Sequence, residues 1–229
     1  MNNITAEQWH NIWEVVHIIG KTYMPTPEIQ DAFICFFDCL CDLLPDVSAR
    51  NNLRSFMQQT PVDQYLDCNN KAFEWTWKLH NYINMIKKRQ GYKISPISLE
   101  TAYDNYQLID KRRWGNAFWF LIHFIFANIP TNSSNSLDAQ TKISCKAFIV
   151  CIRYLLPCRV ECGNHMKAYL SKVNIDYYLN SPQNLFRWSW EFHNAVNTRL
   201  KHQTYDFEPA LMYYTIPKSS FQVIDETAI

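Results

Sequence analysis

A ten-residue signature occurs twice in this chain, and any fold must accommodate both copies. Trp75-x-Trp77-x-x-His80-Asn81-x-Ile83-Asn84 is matched by Trp188-x-Trp190-x-x-His193-Asn194-x-Val196-Asn197. Other pairs keep the same order: Trp9 and Pro25 are 16 positions apart, as are Trp114 and Pro130. Trp13-x-x-x-His17 is echoed by Trp119-x-x-x-His123, and Leu43-Leu44-Pro45 by Leu155-Leu156-Pro157. Internal repetition of this kind is the mark of one structural unit used twice.

Within each copy the apolar residues recur at helical intervals. Ile4, Trp9, Ile12, Trp13, Val16 and Ile19 predict a helix from Ile4 to Tyr23, with Thr5 as its N-cap. The two prolines of Met24 to Pro27 break it. Further helices are expected over 29–44, 47–59 and 69–88, the last closed by Gly91 after Lys87, Lys88 and Arg89. A short helix capped by Ser98 and reaching Ile109 precedes helices over 114–129, 139–156, 158–170 and 183–202. The expected fold is all-α, as two tandem helical bundle units. Residues 1–92 form the first, 93–112 a linker, 113–202 the second and 203–229 a C-terminal extension.

Composition narrows the function. At 229 residues and 48% hydrophobic the chain can bury a large core. It has four glycines and neither a G-x-G-x-x-G nor a Walker pattern, so helices and side chains must hold any nucleotide cofactor. A net charge of +1, from 22 basic and 21 acidic residues, gives no footprint for nucleic acid or an anionic membrane. The apolar run Ala117 to Ile129 is short and contains His123 and Asn128, so no transmembrane segment is expected, and no cleavable leader. Eight cysteines at uneven spacing do not make a disulfide scaffold. Cys35, Cys39 and Cys41 lie close together, but no C-x-x-C occurs, and no metal site is expected.

One feature is not repeated. Cys158 and Cys162, in Leu155 to Cys162 (LLPCRVEC), fall opposite Asp46 and Arg50 when the prolines are aligned. Pro157 suits the first turn of a helix, which would set Cys158 near free N–H groups that favour thiolate, with Arg159 adding positive character. Cys162 would follow one turn later on the same side. His193 and Asn197 share a helix face bordered by Asn194. Trp190 precedes His193 by three positions and Trp119 can approach from another helix. Such residues stack on a planar ring and hydrogen-bond its polar edge. A redox dithiol beside a grip for a flat two-electron acceptor is the reading these residues support. The first copy supplies frame and the second chemistry. Ordinary roles stay open, with His193 a satisfied core histidine and the cysteines buried thiols or a static disulfide.

With these motifs in hand, the sequence resembles the Erv/ALR family of FAD-linked sulfhydryl oxidases. The matching residues are Trp114, Gly115, Trp119 and His123, then Pro157 to Cys162, then Trp188, His193, Asn194, Val196 and Asn197, followed by Leu200 and Lys201. The resemblance implies a four-helix bundle with a short fifth helix holding FAD. It implies cofactor contacts for Trp119, His123, His193, Asn194, Asn197 and Lys201. It makes Cys162 the cysteine nearer the flavin and Cys158 the one that exchanges with thiol-containing proteins, with oxygen as final acceptor and hydrogen peroxide as product. The family pair is C-x-x-C whereas this chain has C-x-x-x-C, and the basic residue expected two positions after Leu200 is His202. An inactive copy before an active one is similar to the larger sulfhydryl oxidases of insect DNA viruses, the baculovirus type. That implies a place in the host cell, nucleus or cytoplasm, and in the virion. It also implies a pseudo-dimer within one chain, with whole-chain homodimers compatible. The alternative reading is a noncatalytic helical interaction or assembly protein. Cys35, Cys39 and Cys41 are read as a shuttle to Cys158 or as buried thiols, and Cys145 and Cys151 as structural.

Overall fold

The computed structural model describes residues 4–132 and 135–216, so 217–229 of the expected extension lie outside the described residues. The first half holds α1 (Ala6–Lys21), α2 (Pro27–Leu43), α3 (Val47–Gln59), α4 (Asn69–Arg89) and α5 (Leu99–Asp104). The second holds α6 (Lys111–Ala127), α7 (Ala139–Leu155), α8 (Glu161–Lys172), α9 (Pro182–Leu200) and α10 (Phe207–Tyr214). A 3-10 turn precedes α4 (Val62–Tyr65) and another precedes α9 (Ile175–Tyr178). The described residues contain no strand, and none of their helices is long and apolar enough to cross a membrane.

Local chemistry sets most boundaries. Thr5 caps α1 in a reciprocal capping box with Gln8. Thr26 and Ser181 cap α2 and α9, each followed by a proline in the first turn. Gly91 sits at φ 92° just past α4, the left-handed conformation that glycine adopts without strain. Two boundaries differ from expectation. α5 stops at Asp104 rather than Ile109, and just beyond it Arg113 Nη1 donates to the carbonyls of Asn105 and Leu108, at 2.8 and 3.3 Å. α8 begins at Glu161 rather than Cys158. Its counterpart α3 starts at Val47 because Asp46 accepts from Ala49 N at 2.6 Å. Cys158 stands in place of Asp46 and no side chain caps α8.

The most extensive helix contact in the molecule is α2 against α7, which joins the halves, and α1 lies against α6 beside it. Within the halves α1 packs on α4 and α6 on α9. Phe36 and Phe148, both fully buried, stack across the α2–α7 seam with centroids 5.7 Å apart. Asp42 on α2 accepts from Ser144 Oγ on α7 at 2.7 Å, and Glu14 on α1 takes the Arg113 guanidinium at 2.9 Å. Desolvation raises the Glu14 carboxyl, but hydrogen bonds from Arg113 and Tyr106 outweigh it and hold it below the usual range. The seam is thus apolar at its centre and satisfied at its margins. α1 and α4 approach so closely that a Cβ on Gly20 would lie 2.9 Å from Thr76 Cγ2 and 3.1 Å from Phe73 Cα.

Phe148→Ala is expected to cost about 3–5 kcal/mol, because it leaves a void where Phe36 stacks. Met212→Ala, at an exposed position, should stay within about 0.5 kcal/mol. Chemical denaturation of the full chain measures both.

Candidate active site

α6 and α9 build the centre of the site. Ser189 Oγ donates to the Phe186 carbonyl at 2.7 Å, so towards His123 Nδ1, 2.8 Å away, it can only accept. His123 therefore carries its proton on Nδ1, and its Nε2 accepts from His193 Nδ1 at 2.9 Å. The tautomers are fixed in sequence, and the His193 Nε2 lone pair is left as an acceptor. Burial keeps the rings neutral: His193 is pushed down to about 4, and His123, 3% exposed, well below its ordinary value. Trp119 stacks on His193 with centroids 4.0 Å apart and planes 7° apart.

A cavity of about 1340 Å³ opens in front of these rings. It exceeds the roughly 300–1,000 Å³ of ordinary ligand pockets, so it has room for a large ligand. Trp119, His123, Trp190, His193 and Asn197 line it, and so does Cys162. The Asn197 side-chain N–H₂ is buried without a partner, an orphaned donor in the cavity wall. Lys111, Arg112 and Arg199 bring positive charge to the same wall. Stacking rings, a free acceptor, a free donor and cations fit a large, flat, anionic cofactor such as a flavin dinucleotide. Glu7 and Asn11 of α1 complete the wall, which the first half therefore shares. Among the described residues no cluster of His, Cys, Asp or Glu could hold a metal ion.

The cysteine pair straddles the start of α8, with Cys158 on the turn after α7 and Cys162 in the first turn of α8. Cys158 lies before the helix, and its carbonyl accepts from Cys162 N at 3.0 Å and Gly163 N at 3.3 Å. Both sulfurs are unbonded. Burial pushes the Cys162 thiol up to about 12, and its hydrogen bond with Cys158 adds to that. Gly163 lets α8 close on α7, since a Cβ there would meet the Arg153 carbonyl at 3.0 Å. Arg159 does not serve the thiols as the sequence suggests. Its guanidinium donates to the Tyr154 carbonyl at 3.1 Å and to the Thr22 carbonyl at the end of α1, tying the turn to the first half.

Two residues singled out from sequence lie outside the cavity wall. Asn194 is engaged by the Tyr205 backbone, donating to its carbonyl at 2.9 Å and accepting from its N–H at 3.0 Å. Trp190 Nε1 donates to the same carbonyl at 2.8 Å while its ring still lines the cavity. Lys201 is the left-handed C-cap of α9, at φ 58°. His202 lines the wall in its stead. Tyr205 and Tyr214 also line it, and Tyr214 packs on the His123 ring at 4.9 Å. Sequence reasoning passed over them because they follow the last periodic helix. The W-x-W spacing leaves Trp190 and Asn194 needing a backbone partner, and that was the available signal.

The first half repeats the frame. Thr76 Oγ1 donates to the Phe73 carbonyl at 2.8 Å and lies 3.2 Å from His17 Nδ1, while His17 Nε2 is 2.8 Å from His80 Nδ1. Trp13 stacks on His80 at 4.0 Å, and Trp77 Nε1 donates to Ile97 O at 2.8 Å. At the thiol positions, however, Asp46 caps α3 and Arg50 Nη1 donates to the Leu44 carbonyl at 2.6 Å.

A helical bundle with a cysteine pair beside a cavity built for a flat cofactor defines a flavin-type thiol redox protein in outline. The Erv1/Alr family matches residues 116–217. A protein of Invertebrate iridescent virus 3 whose name gives it as an FAD-linked sulfhydryl oxidase is 35% identical over 109 residues, 48% of this chain and 70% of that protein. The FAD-linked sulfhydryl oxidase of African swine fever virus is 31% identical over 87 residues, 38% and 67% of the respective chains. The mitochondrial FAD-linked sulfhydryl oxidase ERV1 of Saccharomyces cerevisiae is 28% identical over 102 residues, 42% and 48%. No solved structure matches. The chain belongs to the Erv1/Alr family.

The buried histidines predict a pH dependence. His17 is depressed to about 3 and His80 to about 4, mainly by burial, alongside His123 and His193. The unfolded chain then takes up protons first as pH falls. Stability is complete above about 6.5 and is lost between about 6.5 and 3, by up to about 1.4 kcal/mol per pH unit for each ring. The denaturation midpoint should drop steeply over that range; a flat profile would contradict neutral rings. Arg159→Ala should cost about 1–2 kcal/mol, because the Thr22 and Tyr154 carbonyls lose a charged donor, with Lys restoring only part. Denaturant titration of the three proteins checks this.

Proposed function

We propose that this chain is an FAD-dependent thiol oxidase that makes disulfides in thiol-containing proteins. The observation that carries the reading is Cys162 in the wall of the cavity that also presents the stacked Trp119–His193 pair and the unpartnered Asn197 amide. The names of the relatives support it, each being an FAD-linked sulfhydryl oxidase.

The division of labour follows from placement. Cys158, on the turn outside the cavity wall, meets the client. A client thiolate attacks its sulfur when the pair is oxidised, releasing Cys162 as thiolate. A second client thiol then attacks the mixed disulfide, and Cys158 leaves with the proton. The client gains a disulfide and the pair is left as two thiols, the state of the structure. Bound FAD would take the electron pair from the reduced cysteines and hand it to oxygen, giving hydrogen peroxide. Trp119 and His193 would hold the ring system, Asn197 would donate to its edge, and Lys111, Arg112 and Arg199 would meet the phosphates. His123 positions His193. Asn194 positions Tyr205, and Lys201 the end of α9, without lining the cavity themselves, whereas Trp190 both positions Tyr205 and lines the cavity.

The proposal includes two tandem units, 1–92 and 113–202, the first without the dithiol. Matching hydrogen bonds at His17 and His123 support it, as does the identical order of elements. α5 and α10 occupy corresponding places, so the linker 93–112 and the extension 203–229 each contribute one helix to a bundle. The α2–α7 seam then does inside one chain what a dimer interface does between two, and a whole-chain homodimer is not required for it. Two of the relatives described belong to large DNA viruses, which supports a viral protein acting in an infected host cell.

Purified protein is expected to be yellow, or to become so on adding FAD, and to consume oxygen with a dithiol. Cys162→Ser should keep the flavin and lose oxygen consumption. Cys158→Ser should lose it with protein clients. A colourless protein that gains no activity with FAD would sink the reading in favour of a noncatalytic assembly protein.

A further inference from the structure

Three thiols outside the proposed active site gather at the seam between the halves. Cys35 and Cys39, on successive turns of α2, have sulfurs 4.0 Å apart. Cys151, on α7, is buried at the same seam, and its thiol interacts with both. Cys39 and Cys151 are each 4% exposed, whereas Cys35 is half-buried. No metal site forms there among the described residues.

The placement is not arbitrary. Cys39 and Cys151 are separated in sequence by the same distance as Pro45 and Pro157, and as Phe36 and Phe148. They are therefore counterparts in the repeat. Phe36 and Phe148, three positions before them, are counterparts too and stack across the seam. Cys39 and Cys151 both lie at the most extensive helix contact in the molecule, α2 against α7, on chain segments more than a hundred residues apart.

We propose that this cluster is a second redox site, in which Cys39 and Cys151 form a disulfide that staples the two halves and Cys35 is the point through which it is made. The oxidant is a disulfide, either an oxidised small-molecule thiol or the oxidised pair of another molecule. The Cys35 thiolate attacks one of its sulfurs, forming a mixed disulfide and releasing a thiolate that takes a proton. Cys151 then attacks the Cys35 sulfur and expels the oxidant's second sulfur as thiol. Cys39 attacks Cys151, forming Cys39–Cys151 and returning Cys35 as thiol. Two thiols lose two electrons and two protons, and one disulfide becomes two thiols. Hydrogen bonds from Cys39, then Cys35, hold the Cys151 thiol below its ordinary range, which suits it to be the attacking sulfur. Burial and the thiol hydrogen bonds push Cys35 up to about 11, so the first step should quicken as pH rises.

The test uses the full chain with Cys158 and Cys162 both changed to Ser, so its outcome does not depend on the proposed oxidase activity. Reduced protein is exposed to oxidised glutathione, alkylated in denaturant and mapped by mass spectrometry without reductant. The expected product joins the Cys39 and Cys151 peptides. It should form at least tenfold more slowly, but to the same end, in Cys35→Ser. The stapled form should melt on the order of 10 °C higher than the reduced form, since the bond closes a loop of over a hundred residues. Cys39→Ala and Cys151→Ala should each abolish both effects. All three thiols remaining free after prolonged exposure would overturn the proposal, and so would a final product joining Cys35 to either neighbour.

Discussion

The site depends on one buried chain of hydrogen bonds, from the Phe186 carbonyl through Ser189 and His123 to His193. Its direction is set at the carbonyl, which can only accept, and every later donor and acceptor follows. A histidine pair at this depth could not be charged without a counter-ion, and none is close, so desolvation selects the neutral state. The outcome is a ring of known tautomer with its free lone pair towards a cavity and Trp119 flat against it. Preorganisation here comes from proton bookkeeping as much as from packing.

The first half keeps the same hydrogen-bonded chain without a cysteine pair beside it. Thr76 replaces Ser189, and the His17–His80 pair and the Trp13 stack are kept. Tyr106 lies on the His17 ring at 5.2 Å, held by its hydroxyl to Glu14 and covered by Arg113. The aromatic and histidine framework is thus a way of packing a bundle, and ligand chemistry is an addition to it. Where the second half leaves Cys158 uncapped on a turn, the first half closes its helix with Asp46.

Much of this was legible in the sequence because periodicity and capping are local. Helix order, the Thr5 and Ser98 caps, the Gly91 terminus and the shared face of His193 and Asn197 follow from spacing and capping. What could not be read depended on partners distant in sequence. Arg159 looked like a neighbour of the thiols, yet a carbonyl 137 positions away claims it. Asn194 carried the family signature, yet its amide is spent on the Tyr205 backbone. The cations of the cavity wall sit on exposed helix faces where single charges carry no periodic signal. The shift of α8 to Glu161 turned on whether position 158 could cap, a question of side-chain chemistry rather than hydrophobic pattern.

The tie from Arg159 to the end of α1 has a consequence for where this protein can be divided. The family match begins at residue 116, but the acceptor for that guanidinium and part of the cavity wall, Glu7 and Asn11, belong to α1. A fragment cut at the family boundary would lose Trp114 and Gly115 and leave a half-buried cation with one carbonyl fewer and a pocket with one side missing. The first half is in this sense part of the wall around the second half's cavity.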